Sequence, residues 1–206
     1  MSTVTRWWWI RHAPVPDGRN IVYGQHDLDA DCTDTESFRA LAKILPADAV
    51  LVTSDLKRAV QTADAIRAAG LNLPAPQREP ALREQNFGDW QGLTSAEFAA
   101  LRDDVAAEYW RAPAFIRAPG GESFADVVAR AAPAIMRLSA DHAGRDIIAV
   151  AHGGTIRAAL ALALGLSPER ALAFSALHLG VTNLDYITGL SEGDAWRISC
   201  VNRPAR

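Results

Sequence analysis

Trp7-Trp8-Trp9-Ile10-Arg11-His12-Ala13-Pro14 is the stretch whose reading decides the fold. An apolar run ends where a cation and an imidazole arrive side by side, and Ala13-Pro14 breaks off what came before. A short apolar run closed by a turn signal predicts a buried strand. Arg11 and His12 then stand at its carboxyl end, where open α/β sheets form their ligand crevices. The pairing suits a phosphate, since a guanidinium grips oxygens and an imidazole can attack phosphorus. Taken alone, the stretch is better read as a solvated strand end that carries two polar residues.

A second stretch of the same kind shifts that balance. Ile147 to Ala151 (IIAVA) is another short apolar run rich in β-branched residues, and His152-Gly153-Gly154-Thr155 follows at once, leading into the helical pattern IRAALALALGL. Each of two strands thus delivers a histidine at its C-terminal end. The histidines lie 140 positions apart, so only the fold can bring them together.

Working outward, 206 residues favour one domain, spanning 1–206. With 49% hydrophobic and 22% charged residues the composition is that of a globular protein. A net charge of −3 gives no electrostatic case for nucleic acid or an anionic membrane, so an anion site must be a local concentration of arginine. Cys32 and Cys200 form neither a metal spacing nor a disulfide framework, which predicts a reducing compartment. No apolar run approaches the ~20 residues of a membrane span. The first strand starts within a few residues of Met1 and leaves no room for a signal peptide, so the expected location is the cytoplasm.

Val15 to Asp31 reads as a polar loop holding Tyr23-Gly24-Gln25-His26-Asp27, either a surface turn or a substrate contact. Thr33 and Glu36 have capping-box spacing ahead of an amphipathic helix through Phe38, Leu41, Ala42 and Leu45. Val50 to Thr53 predicts a strand and Ser54 an N-cap, followed by a helix with Leu56, Ala59, Val60, Ala63 and Ile66 inside. Arg58 falls off that stripe, in a first turn whose dipole disfavours a cation; it reads as a surface arginine or as a second arginine of the crevice. A third strand is expected over Leu73 to Gln77, weakened by Pro74 and Pro76. Pro80 to Gly92 has no period but carries Glu84, Phe87 and Trp90. Thr94 to Glu108 reads helical, and Ser123 with Asp126 caps a long helix containing Pro133. Two closing strands, Gly180–Ile187 and Ala195–Val201, complete a β/α alternation. The expected fold is α/β, a three-layer sandwich with a mostly parallel central sheet and helices on both faces. Residues about 80–122 are expected to contribute a helical and loop cap over the C-terminal strand ends.

Arg11-His12-Ala13, the SDLKRAVQTA stretch from Ser54 to Ala63, Glu84 with FGDWQG, PGGES from Pro119 to Ser123, and His152-Gly153-Gly154 occur in this order. Together they resemble the histidine phosphatase superfamily, also called phosphoglycerate mutase-like, over nearly the whole chain from Trp7 to about Tyr186. The resemblance implies that His12 is the nucleophile that becomes phosphohistidine. It implies that Arg11, Arg58 and His152 hold the phosphoryl group and that Glu84 gives a proton to the leaving alcohol. Clustered guanidinium and imidazole donors stabilise the charge spread over a transferring phosphoryl group without a metal or other cofactor. Gly153 allows close backbone approach, and the helix start behind it adds a dipole aimed at the anion.

Two positions depart from the family pattern: Ala13 stands where glycine is usual, and Val15 where Thr or Ser is usual. Asn20 is a candidate replacement for the missing hydroxyl. Tyr23, Gln25 and Trp90, with Phe87, Tyr109 and Trp110, are candidates to line the leaving-group side, or are core. The FGDWQG and YGQHD segments resemble the phosphatase branch, including alpha-ribazole phosphatase-like members. The expectation is therefore a phosphomonoester hydrolase acting on a small phosphorylated metabolite such as alpha-ribazole phosphate or a sugar phosphate, as monomer or homodimer. A phosphoglycerate mutase-like phosphotransferase is the first alternative and a non-catalytic phospho-ligand sensor the second, disfavoured because binding alone needs neither His12 nor Glu84.

Overall fold

The computed structural model describes residues 2–18, 20–101 and 104–206. Among them β1 (Thr3–Arg11), β2 (Ala49–Thr53), β3 (Gln77–Arg78), β4 (Asp146–Ala151), β5 (Val181–Thr188) and β6 (Ala195–Arg203) form one sheet in the order β3-β2-β4-β1-β5-β6. The β3/β2, β2/β4 and β4/β1 pairs are parallel, and β5 and β6 add to the β1 edge antiparallel. The predicted mostly parallel sheet is present, with the two closing strands as its antiparallel wing. The register pairs Trp7 with Ile147 and Arg11 with Ala151, so β1 and β4 end level and side by side.

The helices are α1 (Thr35–Ile44), α2 (Lys57–Ala68), α3 (Ser95–Ala100), α4 (Asp104–Arg111), α5 (Phe124–Asp141), α6 (Gly153–Leu164) and α7 (Pro168–Ala171). Alternation along β1 and β4 sends Trp7, Trp9, Ile147, Ala149 and Ala151 to the face covered by α5, α6 and α7. Ile10, Ile148 and Val150 go to the other face, under α1 and α2. Trp7 and Trp9, two positions apart, stack with centroids 4.9 Å apart, and the Trp7 indole N–H donates to Ser139 Oγ on α5 at 2.9 Å. Burying one such ring removes roughly 150–250 Å² from water, a stabilisation of about 4–6 kcal/mol before entropy is counted. Helix α6 is apolar on nearly every side, and from Gly153 to Ala161 all but Arg157 of its residues are buried. Gly165 ends it in the left-handed conformation at φ 60°.

Several local expectations are corrected. The third strand covers only Gln77–Arg78, because Pro74 and Pro76 bring no N–H to a ladder. Asp34, not Thr33, caps α1, its carboxylate accepting from Ser37 N. Ser54 does not cap α2; the helix starts at Lys57 behind Leu56, which makes no side-chain cap. The helix expected over Thr94 to Glu108 is divided into α3 and α4 after an extended Leu101, and residues 102 and 103 within it lie outside the described set. The Ser123–Asp126 capping box is present with both of its bonds, and α5 runs on through Pro133.

Between Phe87 and Ala118 a smaller cluster forms, with Trp90, Ala106 and Ala118 buried against Phe87, Leu93, Phe98 and Tyr109. It is separate from both sheet-face cores.

Candidate active site

Parallel register builds the centre of the site. His12 N donates to Ala151 O at 2.9 Å, so the residue after β1 is bonded to the last residue of β4, whose successor is His152. Ser54 N donates to Val150 O at 3.3 Å, placing the residue after β2 on the other flank of β4. The rings of His12 and His152 lie 5.1 Å apart. All three side chains are fully buried.

His12 Nδ1 lies 2.7 Å from the carbonyl of Ala13. A carbonyl only accepts, so Nδ1 carries the proton and Nε2 the lone pair. Nε2 is buried and makes no hydrogen bond among the described residues. Burial, then the cations Arg58 and Arg11, hold the His12 imidazole well below its ordinary value, so it is neutral near pH 7. An unprotonated Nε2 with no partner among the described residues is what nucleophilic attack requires of an imidazole.

Arg58, read from the sequence as either a surface or a crevice residue, is fully buried. It pins the YGQHD loop, donating to Gly24 O at 2.6 Å and His26 O at 2.8 Å, and its guanidinium sits 4.9 Å from the Tyr23 ring centroid. Arg11 donates from Nη1 to Ala176 O at 2.7 Å. The Nε atoms of both arginines are buried without a hydrogen bond among the described residues. His152 Nε2 lies 2.6 Å from Ser54 Oγ, and burial followed by His12 and Arg58 holds it well below the ordinary imidazole value. When Ser54 donates this bond, Nδ1 of the neutral ring carries the proton and can give it to an anion. Buried donors without protein acceptors, gathered at strand ends and a helix start, make an anion site.

Glu84 approaches from outside the sheet. Its Oε1 accepts from Gly154 N and Gln85 N, both at 3.0 Å. A β-carbon on Gly154 would collide with that oxygen, so the glycine is what lets the carboxylate reach the start of α6. Glu84 Oε2, Arg11 Nε and Arg157 Nη1 surround the point above Gly153, at 3.8, 3.8 and 3.3 Å from where its β-carbon would stand. Gly153 thereby leaves open a space lined by the Glu84 carboxylate and two guanidinium groups.

The other sequence candidates divide. Tyr23 presents its ring edge-on to His12 at 6.4 Å, and Gln25 donates from Nε2 to Glu84 O at 2.9 Å, so both stand at the site. Asn20 is exposed with φ 63°, and its carbonyl accepts from Ser95 N beside α3. Trp90 is 3% exposed and packs edge-on against Phe98 and Tyr109. Trp90 is thus placed by packing in its own small cluster, and Asn20 by its backbone bond to the start of α3. Ala13 needs no glycine: it does not have a positive φ, it is buried in the core, and its N–H donates to Thr62 Oγ1 at 2.9 Å. Val15 is buried as well.

Three further residues at the site were not identified from the sequence. Ser54 was read as a cap. His178 meets the His12 ring edge-on at 5.1 Å and donates from Nδ1 to His12 O at 2.8 Å; it precedes β5 with no motif to mark it. Arg157 sits one turn into α6 inside an apolar pattern, and that misfit was the one signal available. It donates from Nε to Phe174 O at 2.7 Å. Among the described residues no group of three His, Cys, Asp or Glu side chains could hold a metal ion.

A family model described as the histidine phosphatase superfamily (branch 1) matches residues 7–202. A 2,3-bisphosphoglycerate-dependent phosphoglycerate mutase of Methylobacterium radiotolerans is 34% identical over 156 residues, covering 72% of this chain and 74% of its own. A mycobacterial glucosyl-3-phosphoglycerate phosphatase solved with inorganic phosphate is 31% identical with a TM-score of 0.79, covering 97% of this chain and 98% of that one. The alpha-ribazole phosphatase of Shigella flexneri, 21% identical with a TM-score of 0.78, covers 97% of this chain and 96% of its own and shows the shared fold alone.

Proposed function

The chain belongs to the histidine phosphatase superfamily, branch 1, and is an enzyme of its phosphatase kind; from that premise we propose that it hydrolyses a small phosphomonoester through a phosphohistidine on His12. The observation that carries the reading is the His12 ring itself, with Nδ1 committed to the Ala13 carbonyl and Nε2 left with its lone pair among Arg11, Arg58 and His152.

In the first step His12 Nε2 attacks phosphorus and the ester P–O bond breaks. Arg11, Arg58 and the His152 Nδ1–H take up the charge on the non-bridging oxygens. Glu84 gives its proton through Oε2 to the departing alkoxide. In the second step the Glu84 carboxylate takes a proton from water, whose oxygen attacks the phosphohistidine. The P–N bond breaks, and inorganic phosphate leaves. Arginines and imidazoles supply the positive charge, so the reading calls for no metal.

Arg157 supports a leaving group that carries an anion of its own. Its Nη1 and Glu84 Oε2 both border the space above Gly153, and the Glu84 carboxylate is the one negative charge that the described residues bring to bear on this guanidinium. A phosphorylated glycerate, bare or glycosylated, has its carboxylate within two carbon–carbon bonds of the ester carbon and fits that position better than a neutral sugar phosphate. The similarity to a phosphoglycerate mutase keeps phosphotransfer as the second reading. No helix is long and apolar enough to cross a membrane among the described residues, and the free Cys32 and Cys200 support a reducing, cytoplasmic setting.

A phosphomonoester panel assayed for phosphate release, with 3-phosphoglycerate isomerisation run in parallel, tests the reading. Release without isomerisation is expected, with glycerate esters preferred. Isomerisation outpacing release would favour the mutase.

A further inference from the structure

The acid-bearing segment, Arg83 to Phe87, has no helix or strand of its own. Yet Glu84 must hold one oxygen within a hydrogen bond of the leaving group. We propose that Arg130 and Glu122 are a positioning pair that sets the reach of Glu84; the inference rests on the reading of Glu84 as the acid.

Arg130, on the second turn of α5, donates from Nη2 to the Glu84 carbonyl at 2.8 Å and from Nη1 to the Ala81 carbonyl at 2.8 Å. The same guanidinium grips Glu122 in a fork, Nε to Oε1 at 2.7 Å and Nη2 to Oε2 at 3.1 Å. Glu122 in turn holds the residues after the acid. Its Oε2 accepts from Asn86 N at 3.0 Å and its carbonyl from Gln85 Nε2 at 2.8 Å, while its N–H donates to Asn86 O at 2.7 Å. The loop is therefore bolted at Ala81, Glu84, Gln85 and Asn86, while the Glu84 side chain itself is held only through Oε1, by Gly154 N and Gln85 N.

Arg130 is a positioning residue and not a substrate contact: four of the five N–H groups of its guanidinium are spent on these protein acceptors. The arrangement is also specific to an arginine and a carboxylate. A planar fork can meet a carboxylate on one side and two carbonyls on the other, which a lysine ammonium cannot do. Both side chains are 23% exposed, so the pair is screened only in part.

The test compares Arg130→Met, Arg130→Lys, Glu122→Gln and Glu84→Gln on glycerol phosphate and on p-nitrophenyl phosphate, whose leaving group departs without a proton. A misplaced acid should cost Arg130→Met roughly tenfold to a hundredfold in kcat/KM on glycerol phosphate. The loss on p-nitrophenyl phosphate should be less than about threefold, with inhibition by inorganic vanadate unchanged and Arg130→Lys intermediate. The double variant Glu84→Gln/Arg130→Met should lose no more than Glu84→Gln alone, because a positioning residue has nothing left to position. If Arg130→Met fails to fold, Glu122→Gln carries the same comparison with its shape kept. Equal losses on both substrates, or additive losses in the double variant, would overturn the proposal. Should Glu84→Gln itself lose equally on both, the reading of Glu84 as the acid fails and takes this inference with it. Should Glu84→Gln discriminate and the Arg130 and Glu122 variants not, only the positioning role fails.

Discussion

The pocket proposed to hold the phosphoryl group and the loop that carries Glu84, the proposed acid, are built on opposite principles. His12, Ser54 and His152 follow three neighbouring parallel strands, and main-chain bonds between those strands set their spacing. Glu84 belongs to an irregular segment, held by side chains from α5 and by the start of α6. A strand end moves only with the sheet, whereas a loop held by side chains can be displaced by one substitution. Phosphoryl capture and leaving-group protonation should therefore be separable by mutation, and the most informative experiments divide them.

The largest effect expected on the loop side is that of Glu84→Gln. It should lower kcat/KM on alkyl phosphates by roughly 10²–10⁴-fold, the usual range for general acid catalysis. On p-nitrophenyl phosphate the loss should be far smaller. Equal losses would make Glu84 structural and erase the contrast between the two regions.

Arg157 lies on the border of both, being on helix α6 while bordering, with Glu84, the space above Gly153. Arg157→Met should weaken use of carboxylate-bearing phosphate esters by about 10- to 100-fold, the worth of a charged hydrogen bond, mainly through KM. Esters of neutral alcohols should change little. A uniform loss across the panel would place Arg157 in the phosphoryl pocket.

The sequence displayed the strand-end half of the site and concealed most of the rest. His12 and His152 were legible because a strand that ends in a functional residue leaves an apolar run, a polar arrival and a turn signal in consecutive letters. Arg58 could be read as either surface or crevice, since the first turn of a helix usually faces water and only the YGQHD carbonyls show why it does not. Ser54 was mistaken for a helix cap because the two uses of serine at that position look alike in sequence; only the neighbour across the sheet, His152, distinguishes them. The packing of Trp90 into its own small cluster, and the bolting of Glu84 by residues up to 70 positions away, depend on contacts with no local period.

Smaller effects probe the sheet side. Ser54→Ala removes the bond that orients His152, worth about 1 kcal/mol, and should slow turnover by about fivefold on alkyl and aryl phosphates alike. A selective loss on one substrate would link Ser54 to the acid instead.

The buried imidazoles also give stability a pH dependence. His12 and His152 resist protonation when folded, while in the unfolded chain they titrate near 6.5. Below that pH the unfolded state binds more protons, so these groups favour the fold above about pH 6.5. Each costs the fold as much as about 1.4 kcal/mol per pH unit as the pH falls further, until its folded-state value is reached. Urea midpoints measured from pH 7.5 to 5 should fall on the acid side, less steeply in His152→Asn. An unchanged slope in that variant would remove His152 from the account.

The claim on which both halves depend is that His12 Nε2 becomes covalently phosphorylated. Rapid mixing of enzyme with substrate, followed by an alkaline quench and intact-mass and peptide analysis, measures this directly. The account predicts a base-stable, acid-labile phosphoryl adduct on the His12 peptide within one turnover, absent in His12→Ala. No adduct in the wild type under burst conditions, or an adduct that persists in His12→Ala, would contradict it.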